Sequence, residues 1–350
     1  MLLRDSYVPE TNDTSDRILP WIPKAVPAVE PKGLRKPRIV YAPFEYQKAY
    51  DYWHKQQCAH WLHTEINLAQ DLQDWSVMSS LDKHVVGSVL KGFVQAEVVI
   101  GDYWSTKVSS WFPKPEIALM CGAFAAMEGV HQTSYAYLGD TLGLDDYKAF
   151  LEEPTARSKI DRLVSAPRDA NNHDVAVSLA SFSAFGEGVS LFSSFAVLLH
   201  FSTRNMLKGT GQIISFSIRD ESLHSEAGCW LFKEFMAEEP SLFSKRLTSD
   251  IKEVARETVR LEENAIDQIF DGGALGSFTP QHLKAFIKLR ANKKLQEIGV
   301  QSIFGKIDEQ AVAKTMGWFD AISAGREHAD FFATRVTEYG TTDGNWEEIW

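Results

Sequence analysis

Ile218-Arg219-Asp220-Glu221-Ser222-Leu223-His224 sits in a long segment of helical spacing and sets a carboxylate and an imidazole three residues apart. Glu128 and His131, within Ala126-Met127-Glu128-Gly129-Val130-His131, repeat that spacing in an earlier helical stretch. Residues three apart share one helix face, so each pair can offer an oxygen and a nitrogen to one cation. Two such pairs on facing helices predict a two-metal site, and with it an all-α bundle.

Two further acids interrupt apolar helix faces. Glu97 falls in the stripe Val86, Leu90, Phe93, Glu97, Ile100, and Glu187 stands between Gly186 and Gly188 in a charge-poor segment. A buried carboxylate without a partner is costly. Glu97, Glu128, Glu187 and Glu221 together carry a charge that two divalent ions cancel, while His131 and His224 supply one nitrogen per ion. Two lone acids plus two Glu-x-x-His pairs on four helices form the pattern of di-iron and di-manganese carboxylate bundles. Oxygen-rich ligation with one imidazole per ion suits iron and manganese better than zinc or copper. A single Glu-x-x-His is common on ordinary helices, and Glu97 alone can be a buried acid bonded to a neighbour, so the reading rests on the set. Tyr135 follows His131 by four residues and Glu128 by seven, which puts it on the same helix side. It is either a redox-active phenol or a core tyrosine.

The flanking chain fits long helices. Pro43 to Leu68 has helical spacing, Asn67 to Asp74 reads as a polar connection, and Ser79 or Ser80 can cap the helix of Glu97. Pro115 suits the first turn of the helix bearing Glu128, His131 and Tyr135, which spans Ala118 to Leu138. Asn171 to Asp174 can start the helix of Glu187, and Lys208-Gly209-Thr210-Gly211 precedes that of the quoted stretch, which Pro240 stops. Asp250 to Phe270 is an amphipathic helix ended by Gly272-Gly273, and Thr279-Pro280 opens another that runs to about Gly299. Val175 to Phe201 is apolar enough to suggest a membrane span, but its serines and central Glu187 point to a helix buried in protein.

The 350 residues carry a net charge of -11 and no clustered Lys/Arg run, which argues against nucleic acid as a partner. Cys58, Cys121 and Cys229 are widely spaced, so neither a disulfide framework nor a thiolate zinc site is expected, and a reducing cytoplasmic compartment is. Residues 1–40 are polar and proline-dotted without an apolar signal core, and read as an extended arm; 41–325 form the helical domain and 326–350 a flexible tail.

From about Tyr46 to the tail, these features resemble the small, radical-generating subunit of class I ribonucleotide reductase. The resemblance rests on Trp61 in His60-Trp61-Leu62, Glu97, Glu128-x-x-His131 with Tyr135, Glu187, Arg219-Asp220-Glu221-x-x-His224, and Phe331-Phe332-Ala333-Thr334-Arg335-Val336-Thr337-Glu338-Tyr339 leading into the tail. It implies a ferritin-like bundle, a homodimer, and a pair of ions (iron, manganese, or one of each) that store a one-electron oxidant on the cluster or on Tyr135. It also implies an exit path through Trp61, held by Asp220, to Tyr339. The tail then docks on a separate large subunit that reduces ribonucleotides to deoxyribonucleotides. Many tyrosyl-radical members have Asp at the position of Glu97; Glu there resembles subgroups that use manganese. One such subgroup has Phe in place of the tyrosine that this chain keeps as Tyr135. On the residues alone, Trp61 can be a packing residue and Asp220 a plain ion-pair acid. Two alternatives share the bundle. Another ferritin-like oxidase or oxygenase has no need of Trp61, Asp220 and Tyr339, and an iron store has no need of a docking tail.

Overall fold

A computed structural model of the chain describes residues 33–145, 170–271 and 273–323, with Glu152 and Ser158. Most of the 1–40 arm and all of the 326–350 tail, including Tyr339, therefore lie outside the described residues. The described part of the arm is not detached: Leu34 is fully buried, and its N–H donates to Glu238.

Among the described residues the elements are helical: α1 Gln47–Cys58, α2 Ala69–Val77, α3 Ser80–Asp102, α4 Pro115–Thr141, α5 Asn172–Thr203, α6 Lys208–Glu238, α7 Lys245–Phe270, α8 Pro280–Glu297 and α9 Glu309–Ser323. Helix α3 continues into a π-helical stretch, Tyr103–Val108, and α5 contains a second, Ala180–Ser190. Helix α3 packs along α4, α5 lies against α6, and α1 crosses both α4 and α6. Helices α7 and α8 back the π stretch of α5. The result is a bundle whose four central helices, α3 to α6, each carry one part of the sequence-predicted cluster.

Local chemistry sets the boundaries. The Ser79 hydroxyl accepts the Asp82 N–H at the start of α3, Asn171 accepts the Asp174 N–H at the start of α5, and Thr279 caps α8 ahead of Pro280. Helix α7 starts earlier than expected because Ser244 caps it through the Leu247 N–H, and Asp271, in the left-handed region at φ 44°, closes it. Its buried face includes Leu247, Ile251, Val259, Ile266 and Phe270, each large side chain contributing roughly 1.5–3 kcal/mol of burial. The apolar window within α5 is 89% buried inside the bundle, so its hydrophobicity is that of a core helix.

The Asn67–Asp74 stretch differs from the expected polar connection. It becomes α2, because its acids serve the start of α6. Buried Asp71 accepts hydrogen bonds from Gly209 N (2.9 Å), Thr210 N (2.7 Å) and Thr210 Oγ1 (2.7 Å), and Asp74 accepts from Leu207 N at 2.8 Å. These are the orphan donors at the start of α6. The Lys208–Gly211 run is thus the first turn of α6, and a Cβ on Gly209 would come within 2.6 Å of Leu68 Cδ2 and 2.8 Å of the Asn67 carbonyl. Helix α2 therefore fixes the start of the helix that carries the Asp220–His224 stretch.

Replacing Asp71 with alanine removes all three acceptor contacts and leaves buried donors behind. A loss of about 2–4 kcal/mol in urea unfolding is expected. Faster amide exchange at Gly209 and Thr210, with little change in α8, would locate the effect.

Candidate metal centre

Helix α4 has Pro at its first position and, opposite an exposed stripe of Gly122, Ala126, Gly129 and Thr133, buries the face that brings Glu128, His131 and Tyr135 into the core. Helix α6 buries Asp220, Glu221 and His224, and the π stretch of α5 buries Glu187. One donor atom from each of Glu128, Glu187, Glu221 and His224 falls within 4.8 Å of all the others.

The two Glu-x-x-His pairs interlock rather than stand side by side. His224 Nδ1 lies 2.7 Å from Glu128 Oε1, in the other pair, and 3.9 Å from Glu221 Oε2 in its own. His131 Nδ1 lies 3.0 Å from both Glu128 Oε2 and Glu221 Oε1. Both Nδ1 atoms thus face the carboxylates, and the Nε2 atoms face outward.

The outward contacts set the tautomers. Asp220 Oδ2 lies 3.2 Å from His131 Nε2 and accepts the Trp61 indole N–H at 2.7 Å. Its other oxygen accepts from the Gln56 amide at 3.2 Å and from Arg219. Burial alone would raise the Asp220 carboxyl, but the hydrogen bond and charge of His131, then Arg219 and Trp61, hold it below the usual carboxylate range. An ionised Asp220 has no proton to give, so His131 Nε2 is the donor. Because the Gln56 amide nitrogen faces Asp220, its carbonyl faces His224, and His224 Nε2 donates to Gln56 Oε1 at 3.0 Å. Asp220 fixes one histidine directly and the other through Gln56, and both Nδ1 atoms are left to face inward.

Burial acts on every group here, and neighbouring charge decides the outcome. Burial would raise Glu128, yet the charges and hydrogen bonds of His224 and His131 pull its carboxyl far down. Glu187 is pushed well up by burial and by the charges of Glu221 and Glu128. Glu221 is raised to about 7 by burial and Glu128, against the pull of both histidines. Burial would lower His131 and His224, but the hydrogen bonds His131 gives to Asp220 and Glu128, with Glu221 close by, raise the first, and the charges of Glu128 and Glu221 raise the second. Protons thus perform the charge cancellation that cations would perform.

The donor set fits hard divalent ions. Glu128 Oε1, Glu187 Oε2, both oxygens of Glu221 and Nδ1 of His224 are buried without a hydrogen bond of usable geometry. Orphaned atoms of this kind, all converging on one point, are what bound cations would satisfy.

Glu97 belongs to α3 by backbone, but its side chain lies outside the described residues. On either side of Glu97 along α3, Phe93 and Gly101 meet α4. Phe93 stacks on Tyr135 with ring centroids 4.7 Å apart, and a Cβ on Gly101 would sit 3.4 Å from Glu128 Cβ. Tyr135 is fully buried, with its ring centroid 6.3 Å from that of His131. Tyr137 points elsewhere, toward His63.

Sequence reasoning missed Gln56 and Trp104. The Trp104 indole donates to Glu187 Oε1 at 2.6 Å from the π stretch that follows α3. Gln56 had a legible signal. Ala49, Tyr52 and Gln56 step by three and four along α1 and are all buried, so a polar residue interrupts an apolar stripe just as Glu97 does. Trp104 had none, since an indole in an apolar run looks like packing.

The chain matches the family described as "Ribonucleotide reductase, small chain" over residues 38–311. It is 32% identical to the probable ribonucleoside-diphosphate reductase small subunit of Invertebrate iridescent virus 6, over 91% of this chain and 99% of that protein. Among solved structures, the ribonucleotide reductase R2 subunit of Clostridium botulinum superposes with a TM-score of 0.73 at 18% identity, covering 80% of this chain and 89% of that one. The dimanganese(II)-NrdF of Streptococcus sanguinis superposes with a TM-score of 0.66 at 22% identity, covering 78% and 95%. At these identities the two structures speak to the fold, a ferritin-like helical bundle.

Replacing Gln56 with leucine leaves His224 Nε2 without an acceptor while preserving bulk. Affinity of the metal-free protein for Mn(II) is expected to fall about ten-fold. Titration followed by the paramagnetic resonance of the free ion measures it, and an unchanged affinity would show that Gln56 does not orient His224.

Proposed function

The chain belongs to the ribonucleotide reductase small-chain family, and on that footing we propose that it is the radical-generating subunit of a ribonucleoside-diphosphate reductase. In this reading it works with a separate large subunit that binds and reduces the ribonucleotide. One observation carries it: the buried cluster of Glu128, Glu187, Glu221 and His224 is joined, through His131, to the Asp220–Trp61 hydrogen bond at 2.7 Å. An oxidase acting on a substrate in its own pocket has no use for that outward chain.

Glu97, Glu128, His131, Glu187, Glu221 and His224 would hold two ions, which when bound react with oxygen or a reduced oxygen species and supply a one-electron oxidising equivalent. Glu97 in place of the shorter Asp resembles the family's manganese-using subgroups, and manganese at one or both positions is the reading we adopt. Tyr135 holds the oxidising equivalent. Its ring is fully buried and covered by Phe93, which keeps water and reductants away from an oxidised phenol.

Trp61 and Asp220 move the equivalent outward. Oxidation acidifies the indole N–H, and Asp220 Oδ2 accepts that proton, so the charge built up in a buried place stays small. Trp61 is itself 3% exposed, yet its neighbour Leu62 is 43% exposed, so the indole lies one residue below the surface. From there the hole passes to Tyr339 in the 326–350 tail and on to the large subunit, with the tail as the docking element. The active form is a homodimer. A reducing cytoplasmic setting fits the free thiols of Cys58, Cys121 and Cys229.

Two measurements test this. Metal-loaded protein mixed with its large subunit should reduce ribonucleoside diphosphates, and Trp61→Phe should retain its metal while losing activity by about 100-fold or more, equivalent to at least ~2.7 kcal/mol of barrier. Full activity in Trp61→Phe would sink the exit path. Tyr135→Phe should abolish the radical signal in electron paramagnetic resonance, whereas a surviving signal with metal hyperfine structure would place the oxidant on the ions.

A further inference from the structure

The π stretch Ala180–Ser190 puts Glu187 into the cluster, and neighbouring helices grip it at two carbonyls. Arg290 on α8 donates to the Gly188 carbonyl through Nε at 3.1 Å and through its terminal nitrogen at 3.0 Å. Ser225 on α6 donates from its hydroxyl to the Ser183 carbonyl at 2.6 Å. A π-helical turn is wider and rarer than an α turn, so external donors on its carbonyls help to hold the wider form. The Arg290 guanidinium is itself fixed, 3.5 Å over the Phe192 ring, where it gains a cation–π contact.

The packing leaves no slack at the grip. A Cβ on Gly188 would come within 2.7 Å of Ser225 Oγ and 2.8 Å of Lys294 Cε, and one on Gly228 within 2.4 Å of Ser183 Cβ. Glycine at both positions lets α6 and α8 close directly on the π turn. The two gripped carbonyls bracket Glu187 in sequence, four residues before it and one after.

We propose that Arg290 and Ser225 are positioning residues that clamp the π turn and thereby set where the Glu187 carboxylate stands in the metal centre. The clamp touches no ion. It acts through the backbone register of one carboxylate among the predicted six ligands, so its loss weakens the ion that leans on Glu187 and spares the other. This rests on the two-metal reading above.

The test uses the full chain, metal-free, as wild type and as Arg290→Met, Arg290→Lys and Ser225→Ala. Each is titrated with Mn(II), and amide exchange over residues 180–190 is followed by mass spectrometry. Arg290→Met should weaken one of two Mn(II) ions by about ten-fold, leave the other within about two-fold, and speed exchange in that segment. Arg290→Lys, which keeps the charge and one donor, should recover part of the affinity. Ser225→Ala should act in the same direction, and it decides the matter if Arg290→Met does not fold. Wild-type affinities and exchange in the folded variants would overturn the clamp, as would equal weakening of both ions. Wild-type protein that fails to take up two Mn(II) ions would instead overturn the two-metal reading, while the exchange measurement still tests the grip on the π turn.

Discussion

Four described acids, Asp220 among them, sit at 1% exposure or less between α4, α5 and α6, and the bundle depends on how their charge is cancelled. Desolvating a carboxylate costs several kcal/mol unless opposite charge or donors meet it. The two imidazoles meet part of that charge, and several of the oxygens lack a hydrogen bond of usable geometry. Cations bound there would meet that charge, and loading and folding would then be linked.

Precision at the centre is built from contacts well away from it. Helix α6 is held at its first turn by Asp71 and Asp74 of α2, and successive turns of that helix then present Asp220, Glu221, His224 and Ser225 to buried partners. Glu221 and His224 look toward the carboxylates, whereas Asp220, about 100° round the helix from Glu221, looks toward α1 and Trp61. Helix α1 answers with Gln56. The contacts that orient the cluster from outside are therefore shared by Gln56 of α1, Asp220 of α6 and Trp104 in the π stretch after α3.

Much of this was legible in the chain because it breaks a pattern. An acid or an imidazole in an apolar stripe is an anomaly that demands a partner, and the spacing of Glu128, His131, Glu221 and His224 told which anomalies share a face. Caps at Ser79, Asn171 and Thr279, with Pro115 and Pro280, marked the helix starts for the same reason. The rest was hidden by residues whose local appearance is ordinary. Asn67 to Asp74 looked like a linker because its acids answer donors more than 130 residues away at Gly209 and Thr210. The π turns have no periodicity of their own in a segment that is apolar all round, and Trp104 and Arg290 differ from packing and surface residues only by where the fold delivers them.

Asp220 receives Trp61, Gln56, His131 and Arg219 on two oxygens. A single atom group that fixes both imidazole tautomers and also holds the outward indole cannot be altered for one purpose without disturbing the other. Basicity of the inner nitrogens and readiness of the indole to lose its proton are therefore locked together. Drift in this chain, or redesign of it, has independent handles at Gln56 for the first property and at Trp61 for the second, but Asp220 itself is a point of no separate adjustment.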